Sequence, residues 1–426
     1  MYVLAKVCGR PNQLVPGRVA RLIPLLQWAP RYERQWLRAD LIAGLTVTAL
    51  VVPKALGYAG IARVPIQYGL YAAAAGAILY AIFGTSRQIS TGPSSALAAV
   101  AASAVLVTGL SGDEDAVALV SAITLVTGVL FLLLALLKMG WISQFLSKAV
   151  ITGFLFGAAI EVVIGELPKI TGTSVEGSNS WQKLASWIRG LPDTDGTTLL
   201  VGLLSLVLIF GLRRVAPRIP GALVLVITGL VASAAFGLGD RGLALVGDVP
   251  SGLPSLALPR LEFVMANLPV IAAASVGLLL IGFSQSAGDA RAFAAKHKYR
   301  VDINQESVAQ GISNVGAGLV QGIPDSTSLS ASSLNDTSGA KTPVASLVTG
   351  ALTILTLLVL APLFSGLPKA VLAAIIIEAV VMGMMDLPEM RRLFRVARVD
   401  FWIAVAAILG VLSSGVLAGV MIGILL

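Results

Sequence analysis

Polar and apolar positions alternate along this chain in blocks: long apolar runs are separated by short polar loops. The runs lie near residues 40–62, 68–84, 92–109, 116–137, 143–165, 197–214, 219–237, 267–292, 304–322, 327–337, 342–361, 369–385, 399–413 and 415–426. Within each run the apolar character is continuous and lacks the period of two that marks transmembrane strands, so helices are expected. About 20 helical residues cross a bilayer. The tenth run is too short, because about 11 residues rising 1.5 Å each span only about 17 Å of a core about 30 Å thick. The third and tenth runs also open alike, on ISTGPSSALAAV and IPDSTSLSASSLND, each with a proline among small hydroxyl residues. The expected fold is an all-α polytopic membrane protein of fourteen segments, the third and tenth being half-helices. Two halves of seven must enter the bilayer from opposite sides, which is an inverted repeat.

Composition agrees. The chain is 56% hydrophobic and 12% charged, where soluble domains carry about a quarter charged residues. Its net charge of +8 does not indicate nucleic acid, because the basic residues sit in short loops of one side. Those loops hold Arg87; Lys138; Arg213, Arg214 and Arg218; Lys296, Lys298 and Arg300; Lys341; and Arg391, Arg392, Arg395 and Arg398. The opposite side holds Asp113, Glu114 and Asp115. The asymmetry places the N-terminus in the cytoplasm and the protein in the cell membrane. Residues 1–38, with six arginines from Arg10 to Arg38 and no apolar h-region, read as a basic cytoplasmic arm without a cleavable signal. A single cysteine, Cys8, excludes a disulfide framework, and the single histidine, His297, excludes a His-rich metal site; His297 is expected to be a solvated loop residue.

Two half-helices starting inside a membrane would aim unpaired amide N–H groups and positive dipole ends at each other, a site for an anion. Ser94, Ser95, Ser328 and Ser330 would add hydroxyl donors. The competing reading is ordinary packing of small residues between helices. A second oddity is VVPKALGYAG, residues 51–60, where Lys54 interrupts an apolar run directly after Pro53. Snorkelling to the headgroups is one account. Arg63, near the end of that helix, is nine residues on, about 13 Å, roughly twice a lysine's reach, so a cavity-facing Lys54 is the other. Pro53 would kink the helix there and aim Lys54 and Tyr58 at the cavity.

The stretches DLIAGLTVTALVVPKALGYAGIARVPIQYGLYAA, YAIFGTSRQISTGPSSA, ARAFAAKHKYRVDINQE, GAKTPVASLVTG and LPKAVLAAIII together resemble the sulfate permease (SulP) family of anion transporters over about residues 30–426. The resemblance implies a transport domain over 39–426. Its substrate-carrying core would be segments 1–4 and 8–11, about 39–137 and 267–361. Its gate, which also serves dimerisation, would be segments 5–7 and 12–14, about 143–237 and 369–426. It implies an anion held between the starts of segments 3 and 10, beside segments 1 and 8. Most members continue into a cytoplasmic STAS domain, which is absent from this chain, ending at Leu426.

Departures from the family pattern sharpen the site. Lys54 stands where glutamine is usual, Ala331 where an arginine is usual, and Gln285 where a carboxylate is usual; Asp289 follows one turn later. The expectation is a redistributed charge pair: Lys54 faces the substrate and Asp289 is a counter-ion or coupling group. The substrate-binding candidates are Lys54, Tyr58, Ser94, Ser95, Gln285, Ser330, Ala331 and Ser332. Glu161 and Glu378, inside apolar runs of the gate, are further coupling candidates or dimer contacts. The expected function is secondary transport of sulfate, bicarbonate or a dicarboxylate by a homodimer, as cation-coupled symport or anion exchange. No cofactor is expected beyond a coupling proton or sodium ion, and no enzymatic constellation is found. A passive anion channel of the same fold and a nucleobase permease are the alternatives.

Overall fold

The structure, a computed structural model, describes residues 22–110, 112–139, 148–177, 179–216 and 219–415. Thirteen segment helices lie there: α1 Leu37–Ile61, α2 Gln67–Phe83, α3 Ser95–Thr108, α4 Asp113–Leu136, α5 Lys148–Thr171, α6 Gly196–Val215, α7 Gly221–Phe236, α8 Leu268–His297, α9 Ile303–Leu319, α10 Leu329–Thr337, α11 Val344–Leu355, α12 Lys369–Met384 and α13 Arg398–Ser414. The expected fourteenth segment, but for Gly415, and much of the basic arm lie outside the described residues. Seven of the described helices are long and apolar enough to cross a membrane, whereas α2, α3 and α7 are shorter apolar helices. The outside is apolar where lipid is expected: Leu200, Leu203, Leu204 and Val207 form an exposed stripe on α6 at helical spacing.

Helix packing repeats with a shift of seven. α4 packs on α9 as α11 packs on α2, α4 on α8 as α11 on α1, α13 on α5 as α6 on α12, and α8 on α3 as α1 on α10. Each pair maps to its mate when every segment is exchanged for the one seven places away, which is the contact pattern of a seven-plus-seven inverted repeat. Small residues let the backbones close up. A Cβ on Gly128 of α4 would lie 2.6 Å from the Val315 nitrogen and 2.7 Å from the Gly311 oxygen, both on α9. Helices α1–α4 and α8–α11 pack mainly among themselves, as do α5–α7, α12 and α13; the two groups meet where α12 and α7 touch α1, and α12 and α5 touch α3.

The third and tenth segments are not helical from their first residue. Each opens with a three-residue strand, β1 Thr91–Pro93 and β2 Asp325–Thr327, paired antiparallel in the register Thr91↔Thr327, Gly92↔Ser326 and Pro93↔Asp325. Prolines explain the break: Pro93 and Pro324 hold the preceding residues extended, and neither offers an N–H to a helix. Pairing then satisfies backbone groups that lipid could not. α1, by contrast, runs unbroken through Pro53.

Candidate functional site

The strand pair sits on a buried polar ladder from α9. Gln310 Nε2 donates to Thr91 Oγ1 (3.0 Å), and Asn314 both donates to the Asp325 carbonyl (2.9 Å) and accepts from the Asp325 amide (3.0 Å). Ser313 Oγ donates to Asp325 Oδ2 (3.2 Å). Gln310, Ser313, Asn314 and Asp325 are fully buried. The sequence reading missed this support. Its signal was the polar recurrence Glu306, Gln310, Ser313 and Asn314 along one face of an otherwise small and apolar helix. Lower on α9, the Glu306 carboxylate accepts from Tyr80, from the Thr85 hydroxyl and from the Thr85 amide (2.9 Å).

From this platform α3 and α10 depart. Ser328 caps α10 by accepting from the Ala331 amide (3.3 Å), while Ser94, at the matching position of α3, makes no side-chain cap bond. The first turn of α3 therefore keeps its amide donors for something else. A cleft opens between the two starts and α1, lined by Leu50, Val51, Lys54, Ala55, Tyr58, Ser90, Thr91, Gly92, Pro93, Ser328 and Ala331. Lys54 Nζ donates to Ser330 Oγ (3.2 Å), and the Ser328 and Ser330 hydroxyls lie 3.3 Å apart. Tyr58 is buried and in side-chain hydrogen-bonding reach of Ser95.

Lys54, Tyr58, Ser95, Ser330 and Ala331 are thus brought together. Ser332 is turned away: fully buried, its Oγ accepts from the Ser90 amide (2.9 Å) and ties α10 to the approach of β1. Gln285 is half-buried, with an Oε1 that finds no partner, and it does not line the cleft. Asp289 Oδ2 accepts from Thr327 Oγ1 (2.7 Å), so this carboxylate holds β2 from behind.

The two other carboxylates separate. Glu378 of α12, 6% exposed, pairs with Arg213 Nη1 at 2.6 Å, and both line a second cleft with Leu50, Lys54, Ile219, Pro220, Ser330 and Leu334. That cleft lies on the side of the basic loops and joins the first at Leu50 and Lys54. In the sequence Arg213 stands only as one of the loop charges. Glu161 is elsewhere, in a cleft with Arg63, Glu166, Lys169 and Lys183 beyond the opposite end of α1. The helices close between that cleft and Lys54: a Cβ on Gly57 would meet Ile376 Cγ1 of α12 at 3.0 Å. His297 is exposed, as expected, but it does not lie in a loop. It is the last residue of α8, and its Nε2 lies 2.8 Å from Asp336 Oδ1, beside the Lys296–Asp336 pair at 2.6 Å. Among the described residues no group of His, Cys, Asp and Glu side chains could hold a metal ion.

Residues 37–407 match the sequence model of the sulfate permease family. The chain is 36% identical over 406 residues to a probable sulfate transporter of Mycobacterium tuberculosis (strain CDC 1551 / Oshkosh), covering 94% of this chain and 72% of that one. In structure it is similar to the murine solute carrier 26 family member A9 anion transporter in the inward-facing state, with a TM-score of 0.88 at 22% identity over 99% of this chain and 73% of that one. It is also similar to the transmembrane domain of a cyanobacterium bicarbonate transporter, BicA, with a TM-score of 0.78 at 23% identity over 91% and 98% of the two chains.

Proposed function

The chain belongs to the sulfate permease family, and from that premise we propose that it carries small anions across the cell membrane as a secondary transporter. The observation that carries the reading is Lys54, which lines a cleft between the starts of two paired half-helices and donates from Nζ to Ser330 Oγ at 3.2 Å. Lys54 and the hydroxyl residues Ser90, Thr91 and Ser328 line one small space whose wall ends at Pro93, next to the uncapped start of α3. That donor set suits an oxyanion such as sulfate, bicarbonate or a dicarboxylate. α1–α4 and α8–α11 act as the moving core, and α5–α7 with the segments from α12 onward act as the gate, also the surface for a homodimer. The path from the cleft toward the basic loops is the cytoplasmic one, and Gly57 against Ile376 helps to seal the other side. Asp289, bonded to β2 directly behind the site, is the candidate to bind a coupling proton or sodium ion.

The test is uptake of radiolabelled sulfate, bicarbonate and a C4-dicarboxylate by the purified protein in liposomes, with and without imposed proton and sodium gradients. Saturable uptake of at least one, accumulated under a gradient, is the expected result. Flux that never exceeds the electrochemical equilibrium of the anion would make the protein a passive channel. Failure of all three to move, or to compete with another anion, would refute the reading.

A further inference from the structure

The Arg213–Glu378 pair has a place in the site that anion binding at Lys54 does not explain. Lys54 rides on α1, whereas Arg213 and Glu378 ride on α6 and α12 of the other helix group. All three line the cleft open toward the basic loops, which holds about 170 Å³, room for an oxyanion with its water. The pair is not symmetric with respect to that cleft. The Arg213 side chain is 50% exposed at the mouth and the Glu378 side chain only 8% exposed beneath it. Apart from Ser330, the remaining wall is apolar or glycine, from Leu50, Ile209, Ile219, Pro220, Gly221, Ala222 and Leu334, so no fourth charge stands among the three.

A carboxylate and a bound anion compete for the same ammonium. We propose that Glu378 is a release device: a fixed counter-ion that meets Lys54 only while the site faces the basic loops, weakens the hold on the anion there, and passes it to Arg213 at the mouth. This deepens the anion-transport reading and rests on it. If the helix groups move past each other during transport, Lys54 leaves Glu378 behind, and its affinity for the anion rises on the opposite side. A pair that merely fastened α6 to α12 would have no such sidedness.

The experiment uses the full chain in liposomes of known orientation, with radiolabelled sulfate offered from either face, or bicarbonate if only that is carried. In Glu378→Gln the half-saturation concentration on the basic-loop side should fall about 3- to 10-fold, while that on the opposite side changes less than about twofold. Arg213→Gln should raise it on the basic-loop side. The double substitution Arg213→Gln with Glu378→Gln keeps a neutral hydrogen-bonding pair if either single variant folds poorly. It should lower the basic-loop-side value relative to Arg213→Gln alone. Equal shifts on both faces, or none on either, overturn the proposal while transport by the unaltered protein leaves the broader reading standing. Absence of transport by the unaltered protein overturns both.

Discussion

Replacing Lys54 by glutamine removes one charge and keeps a hydrogen-bond donor of similar length, so the loss isolates the ammonium. Its contact with Ser330 Oγ at 3.2 Å places it at the shared boundary of the two clefts. Hydrogen bonds to charged groups contribute about 1.5–3 kcal/mol. At 1.4 kcal/mol per tenfold, that is a rise of about 10- to 150-fold in the anion's half-saturation concentration. Water reaches the site through the cleft on the basic-loop side, which favours the lower part of the range, about 10- to 30-fold. The assay is the initial rate of labelled-anion uptake against concentration in liposomes, with equal amounts of folded protein confirmed by gel filtration and circular dichroism. Lys54→Arg keeps the charge on a larger planar group and should lose less than Lys54→Gln. A change below about threefold for Lys54→Gln would mean that the ammonium does not face the anion, and the argument from the cleft would fail.

Three further outcomes follow from the surroundings of the site. In Gly76→Ala the new methyl would clash with Asp325 Oδ2 and lie 3.2 Å from the Gly92 Cα, under the strand pair. Overpacking of this kind costs about 1–3 kcal/mol, and an unchanged thermal midpoint in detergent would contradict the packing described. Asp40, fully buried, accepts from the Lys341 and Thr342 amides (2.7 and 3.1 Å) and the Thr342 hydroxyl (2.7 Å), so Asp40→Ala strands three donors. The expected loss is at least about 2 kcal/mol, read as a lower midpoint, with Asp40→Asn recovering part of it. Asp289→Asn should abolish accumulation against a gradient while anion exchange persists; accumulation equal to that of the unaltered protein would exclude Asp289 as the coupling group.

The fold was legible because lipid imposes length and continuity on every span, and the charge of successive loops then fixes the parity. The half-helices were legible from Pro93 and Pro324, since proline acts on local backbone geometry. What the sequence did not disclose is the strand pairing, because two three-residue strands far apart in the chain carry no periodic signal. The same limit applied to the site. Lys54 and Tyr58 were visible as polar atoms in an apolar run at helical spacing. The inward turn of Ser332, the bond between Asp289 and Thr327, and the reach of Glu378 to Arg213 depend on which helices meet, and no residue type announces that. Glu161 and Glu378 look alike in sequence, each a carboxylate inside an apolar run of the gate. Only packing sends one to the cleft beyond Arg63 and the other to Lys54.

The pairing of β1 and β2 also constrains how the protein is made. The Ser90 amide finds its acceptor on Ser332, 242 residues later, and the Ser328 amide returns to the Ser90 carbonyl. When the ribosome has delivered α3 to the membrane, that short helix and the extended residues before it have no partner for their backbone. They must wait, held in water or by the insertion machinery, until ten segments have been synthesised. Formation of the site is therefore a late step of biogenesis. A chain interrupted before β2 would leave α3 stranded, exposed to quality control, even though every long span ahead of it had already inserted.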